Sequence, residues 1–191
     1  MKRSALYSLH RRAGASFAEY SGWELPAFFT SPERDAALVR ESAGLADASH
    51  SPKFDLQSET VLESGPRRKS WRLGRNHYLV VGKQGDPPPG GIDVTSVYAA
   101  LRLVGPKSRE VLSKLTSLNS SDAGLPNLGC AQASLAHVPA IFLRQDIGEM
   151  PGFYLLITRD YAESVWEAIL QAGHEFHLAP IGMEALLSLQ G

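Results

Sequence analysis

Apolar residues fall along this chain in two rhythms, one near 3.6 and one near 2, separated by glycine- and proline-rich breaks. The first clear helical stretch is predicted over residues 32–42. Ser31 can cap it, Pro32 suits its first position, Gly44 can stop it, and Ala36, Ala37, Leu38 and Val39 give it an apolar side. Upstream, SGWELPAFF reads as an irregular segment anchored by Trp23, Phe28 and Phe29. Downstream, SPKFDLQ reads as a short strand, SETVLESGPRRK as a polar connection and SWRLGRNHYLVVG as a hairpin turning at Gly74–Asn76. The stretch GKQGDPPPGG is a break, because its prolines and glycines suit neither a helix nor a central strand.

Beyond the break, VTSVYAALRLV reads as a strand, and Gly105-Pro106 opens a helix that buries Val111, Leu112 and Leu115. LNSSDAGLPNLG is a loop, CAQASLAHV and PAIFLRQD are strands, IGEMP is a turn and GFYLLIT is a strand. Asp160 is placed to cap the helix YAESVWEAILQAG, whose Val165, Trp166, Ile169 and Leu170 share a face and which Gly173 ends. A last strand, EFHLA, leads to a helix opened by Pro180. The order β-α-β-β-β-α-β over residues 97–178 predicts an α+β class with a ferredoxin-like arrangement plus an added strand. A second α+β lobe comes from the N-terminal third. The chain thus reads as one module, 1–191, with lobes over roughly 1–92 and 93–180 and a C-terminal helix over 180–190.

Composition narrows the chemistry. Among 191 residues, 19 Lys and Arg balance 20 Asp and Glu, for a net charge of −1. That gives no general field for nucleic acid or an anionic membrane surface, and the basic runs KRSALYSLHRR and PRRKSWRLGR read as solvated. The lone Cys130 has no partner for an internal disulfide and reads as a buried structural thiol. With no signal-like or membrane-spanning run, a cytoplasmic location is expected. The histidines show no metal-ligand spacing, no glycine-rich phosphate loop follows a strand, and no nucleophile elbow is present.

Three stretches, taken in order, carry a resemblance. LYSLHRRAGASFAEYSGWELPAFF resembles the opening of the glycine cleavage T-protein (aminomethyltransferase) family, with its Gly-Trp-Glu-Met-Pro-like motif. RESAGLADASH is similar to that family's Ala-Gly-Leu-Phe-Asp-Val-Ser-His motif, keeping Asp47, Ser49 and His50, and LVGPKSREVL resembles its Gly-Pro-led helix. The second half is also similar to the gamma subunit of heterotetrameric sarcosine oxidase. The resemblance implies a two-lobed T-protein-like fold that binds tetrahydrofolate, with the full-length family's third lobe absent. It also implies a lipoylated carrier protein as a partner, and a homodimer or a second polypeptide covering the surface that the missing lobe would bury.

The family's functional positions carry over unevenly. Its catalytic aspartate lies in a Gly-Gly-x-x-Asp-Asp motif ahead of the hairpin, and the residues before Trp71 lack it. Asp93 follows a glycine pair in GGID but lies after the hairpin, where it reads as a loop-to-strand residue; no catalytic residue is assigned. In DIGEMPGF, Gly148 and Glu149 match the turn whose glutamate binds the pterin, although its tyrosine is missing. Asp47, Ser49 and His50 are cofactor-binding candidates by the same resemblance, while the Asp and Ser also suit the bonding of a turn's backbone. Gly82 replaces an asparagine, and Glu184 stands near the place of a folate-facing arginine. Two functions stay open: a folate-binding, aminomethyltransferase-like protein without the catalytic aspartate, and a non-catalytic scaffold subunit.

Overall fold

The computed structural model describes residues 1–65, 68–82 and 85–190, and the class is mixed α+β. Strand β1 (Lys2–Arg3) leads into helix α1 (Tyr7–Arg12), and β2 (Ser16–Tyr20) and β3 (Trp23–Phe28) then form a hairpin, giving the sheet order β1-β3-β2. The hairpin turns on Ser21 and Gly22, with φ of 51° and 80°. Two left-handed residues match the twist of paired strands. SGWELPAFF is therefore regular structure, not the irregular segment its sequence suggests. Pro26 masks the strand, yet β1 pairs only with Trp23 and Glu24, so at Pro26 β3 is an edge, where a missing N–H is tolerated.

Helix α2 (Pro32–Glu41) forms as its sequence predicts, with Ser31 Oγ accepting from the Arg34 N–H at 3.3 Å. Its stop differs. Ser42 is the C-cap, and Gly44 begins the fully buried strand β4 (Gly44–Asp47). A Cβ at Gly44 would lie 2.6 Å from Val39 Cγ2, so close packing between α2 and β4 is what demands glycine here.

A four-stranded sheet follows: β5 (Lys53–Gln57), β6 (Lys69–Gly74), β7 (His77–Val81) and β8 (Ile92–Asp93), in the order β6-β7-β5-β8. The β6–β7 hairpin turns where expected, with Asn76 at φ 59°. Residues 66–67 of the polar connection and 83–84 of the proline-rich break lie outside the described residues.

The largest sheet is built from β9 (Tyr98–Val104), β10 (Cys130–Leu135), β11 (Val138–Arg144), β12 (Gly152–Thr158) and the short β13 (Ala179–Pro180), together with β4. Its order is β10-β11-β12-β9-β4-β13, and only β13 pairs in parallel. A strand from the first 92 residues thus lies inside the sheet of the second half. On one face, Leu101 and Leu103 pack with Val111 of α3 (Ser108–Ser113) and with Val165, Trp166 and Ile169 of α4 (Ala162–Gly173). On the other, Ala100, Leu143 and Leu156 pack against Trp71 and Leu79 of the four-stranded sheet. Helix α5 (Met183–Gln190) closes a third cluster with Trp23, Leu25 and Val39.

Four local expectations in this half are corrected. Pro106 precedes α3 by two residues, because Lys107 occupies the N-cap. Asp160 caps nothing: Arg159–Tyr161 is a 3-10 turn, and α4 starts after Tyr161 without a side-chain cap. Of EFHLA only Ala179 is strand, at the start of β13, since His174–Phe176 is a second 3-10 turn and His177 reverses the chain at φ 58°. Pro180 belongs to β13, and α5 begins at Met183.

Candidate functional site

Strand β4 ends in the turn Ala48-Ser49-His50, which the sheet pairing places beside β9 and ahead of β5. Asp47 is buried. Its Oδ1 accepts from the Ser49 N–H at 3.0 Å, and its Oδ2 lies 3.3 Å from Nε2 of the fully buried His10 on α1. Burial alone would raise the Asp47 pKa; bonds from His10, Ser4 and Ser49 outweigh it, so the carboxylate stays below its ordinary range. Ser49 Oγ accepts from the Ala100 N–H at 3.2 Å. Both polar side chains therefore serve the turn and its docking to β9, and their bonds point into the protein.

His50 has a different outlook. It borders a cleft of about 100 Å³ shared with Lys2, Trp23, Asp93, Thr95 and Ser96. Its ring centroid is 6.5 Å from that of Tyr20, and its Nδ1 has no hydrogen-bond partner among the described residues. Burial lowers its pKa to about 4, with Lys53 adding to that and Asp47 opposing it, so the imidazole is neutral at pH 7. Across the cleft, Asp93 Oδ1 accepts from the Thr95 N–H at 2.8 Å, and bonds from Thr95 hold its pKa below the ordinary value. Asp93 is thus an ionised wall residue in a two-residue strand, as its loop-to-strand reading has it.

Beneath the cleft lies a residue that sequence reasoning missed. Lys53 is fully buried, and its Nζ donates to Ser49 O at 3.0 Å and to Ser51 O at 2.7 Å. Burial lowers its pKa to about 8, although Asp47 and Asp93 pull the other way. In SPKFDLQ, alternation puts Lys53 opposite the buried Phe54, on the side expected to be solvated. His10 was hidden for a similar reason: it lies in a short, basic helical stretch with no periodic signal.

The other two candidates stand apart. Gly148 and Glu149 are exposed in the turn between β11 and β12, where Ile147 and Met150 exchange backbone bonds at 3.0 Å. Gly148 borders a separate groove of about 310 Å³ beside the end of α5. Among the described hydrogen bonds none involves Glu149, and none links this turn to Asp47, Ser49 or His50. Cys130, expected to be buried, is half-buried and donates from Sγ to Arg72 O at 3.1 Å. Among the described residues no group of three His, Cys, Asp or Glu could hold a metal, and no helix is long and apolar enough to cross a membrane.

Comparison with known proteins follows the same lines. An aminomethyltransferase from Halothermothrix orenii is 26% identical over an alignment of 227 positions, covering 97% of this chain and 63% of the relative. The chain therefore spans less than two thirds of such a relative, and an alignment longer than its 191 residues means that the relative carries segments it lacks. The solved glycine cleavage system aminomethyltransferase T from Bartonella henselae superposes with a TM-score of 0.79 at 19% identity, over 99% of this chain and 62% of that one. A chain of the heterotetrameric sarcosine oxidase from Corynebacterium sp. U-96 superposes with a TM-score of 0.61 at 17% identity, over 76% of this chain and 92% of that one. At such identities the superpositions speak for the fold. The sequence model of the GCVT N-terminal domain matches residues 90–190, from the glycine pair before β8 to the end of α5. With more than half of its length inside that match, the chain belongs to the GCVT N-terminal domain family.

Proposed function

We propose that the chain is a tetrahydrofolate-binding, aminomethyltransferase-like module of one-carbon metabolism that lacks the family's catalytic aspartate. The relationship to an aminomethyltransferase across 97% of the chain carries this reading. The cleft beside His50 supports it. A neutral imidazole in the cleft wall, an ionised Asp93 and the Ser96 hydroxyl suit the amide and amino edge of a pterin. Its volume of about 100 Å³ is well below the ~300 Å³ at which ligand pockets begin. One edge of the cofactor fits there, and the rest must lie across an open face that a second copy or another polypeptide completes. Glu149 is the proposed second contact, from the turn beyond.

The residues present support binding and orientation, not transfer. The residues before Trp71 lack the family's Gly-Gly-x-x-Asp-Asp motif, and Asp93 lies after the β6–β7 hairpin and accepts from the Thr95 N–H, so the catalytic role is assigned to no residue. This favours, as a second reading, a non-catalytic subunit of a larger assembly. Calorimetric titration of the full chain with 5-formyltetrahydrofolate tests the first reading, with His50→Ala and Glu149→Ala alongside. Saturable binding weakened at least tenfold by each variant supports a pterin site. Absence of heat at millimolar ligand, for a protein that purifies alone, rejects folate binding and leaves the scaffold reading. A lipoylated carrier protein carrying an aminomethyl group, added with folate, reads transfer directly, and none is expected.

A further inference from the structure

We propose that Lys53 is a positioning residue, a single clamp that holds the His50 and Asp93 walls of the cleft together. Its side chain grips one wall: Nζ donates to the carbonyls of Ser49 and Ser51, the two residues flanking His50. Its backbone grips the other. The Lys53 N–H donates to Thr95 Oγ1 at 3.0 Å, and its carbonyl accepts from the Val94 N–H at 2.8 Å. Thr95 in turn donates its N–H to Asp93 at 2.8 Å. Two segments some forty residues apart in sequence, 49–51 and 93–95, are thereby fixed on one residue. A polar residue with nothing to do here would carry a heavy cost, because a buried ammonium loses its hydration. Two carbonyl bonds and two nearby carboxylates offset that cost only when the turn keeps this shape.

The charged and titratable groups facing Lys53 and His50 are Asp47 from β4, with His10 of α1 behind it, Asp93 from β8, Tyr20 from β2 and Lys2 from β1. Asp47 and Asp93 titrate below their ordinary values, His50 near 4, and Tyr20 is pushed up by burial and by Glu184. Burial brings the Lys53 ammonium's loss of its proton into the window between pH 7 and 9.5. A neutral amine donates weaker bonds to the two carbonyls, so the turn carrying His50 relaxes as the ammonium loses its proton. What the clamp does for a ligand rests on the folate reading; the clamp itself does not, and it can be read without ligand.

The experiment is NMR of the full chain, following the His50 Cε1–Hε1 resonance and the Lys53 ¹³Cε resonance from pH 7 to 9.5. The expected result is one step in both, with a midpoint of about 8, and loss of the His50 step in Lys53→Met. A flat His50 resonance while Lys53 titrates overturns the proposal, as does an unchanged step in Lys53→Met. If that variant does not fold, Lys53→Arg, which keeps its charge throughout this range, decides the matter: the His50 step is lost if Lys53 is its source and persists if it is not. A merely space-filling lysine would leave His50 silent. A folate titration that fails while these curves coincide would reject the ligand and keep the clamp.

Discussion

Arg102→Met is expected to raise the stability of the chain, although it deletes a hydrogen bond and a stacking contact. Arg102 lies mid-strand in β9 and is 1% exposed. Its Nη2 donates to Gln145 O at 2.6 Å, and its guanidinium sits 4.3 Å from the centroid of the Tyr154 ring. Its Nε and Nη1 are buried without partners. The carboxylate that acts on it, Asp146, is taken by Arg144 through bonds of 3.0 and 2.7 Å. Losing the charged bond costs roughly 1.5–3 kcal/mol, and losing the ring contact about 0.5–2 kcal/mol. Against this, each unpaired buried N–H is worth about 1–3 kcal/mol, and burying an unpaired charge adds several kcal/mol more. Methionine fills similar space with no polar atom. The balance favours the variant by about 1–4 kcal/mol, the return seen when buried charges give way to apolar side chains, and for a domain of this size each kcal/mol moves Tm by about 2–4 °C. Urea unfolding with a constant m-value is the assay, with Arg102→Lys as a control that keeps the charge, loses the fork and should be destabilised. A loss of more than about 2 kcal/mol in Arg102→Met would refute the reasoning, because it would mean that the two nitrogens are satisfied.

Other expectations are more direct. Gly105→Ala should destabilise the fold by more than about 3 kcal/mol, read by thermal melting, because Gly105 has φ 131° and a Cβ there would lie 2.7 Å from both Ala43 Cα and Val39 O. Asp47 titrates below its ordinary value, so its stabilising contribution is complete above the unfolded pKa near 3.9 and fades as pH falls through its folded pKa. Asp47→Asn should accordingly flatten the loss of urea stability below pH 4 while lowering stability at pH 7 by about 1.5–3 kcal/mol, the worth of a hydrogen bond to a charged group. Ser31→Ala should cost about 1 kcal/mol, by removing the α2 cap, with no change in m-value.

How much of this was legible depends on how local the cause was. Ser31 and Pro32 announce α2 because a helix start is settled by side chains within three residues of the end. The short, nearly continuous apolar runs YAALRLV and GFYLLIT announce β9 and β12, as strands covered on both faces read. The proline-rich break, the β6–β7 hairpin and the ordering of the second half follow from the same short-range chemistry. The motif RESAGLADASH singles out Asp47, Ser49 and His50, of which His50 borders the candidate cleft.

Only the tertiary structure decided the rest, because the causes act between residues far apart in the chain. Pro26 is tolerated in β3 since the two-residue β1 stops short of it, and Gly44 is required by Val39 across a packed interface. Asp47 and Ser49 turn inward because His10 and the Ala100 N–H wait for them, which leaves His50 alone at the cleft. Lys53 reads as solvated in its own strand and proves fully buried, because two carbonyls from the preceding turn satisfy its ammonium. Sequence determined the family and those elements whose signals are local; the meeting of β4, β5 and β8 determined which side chains face the cleft.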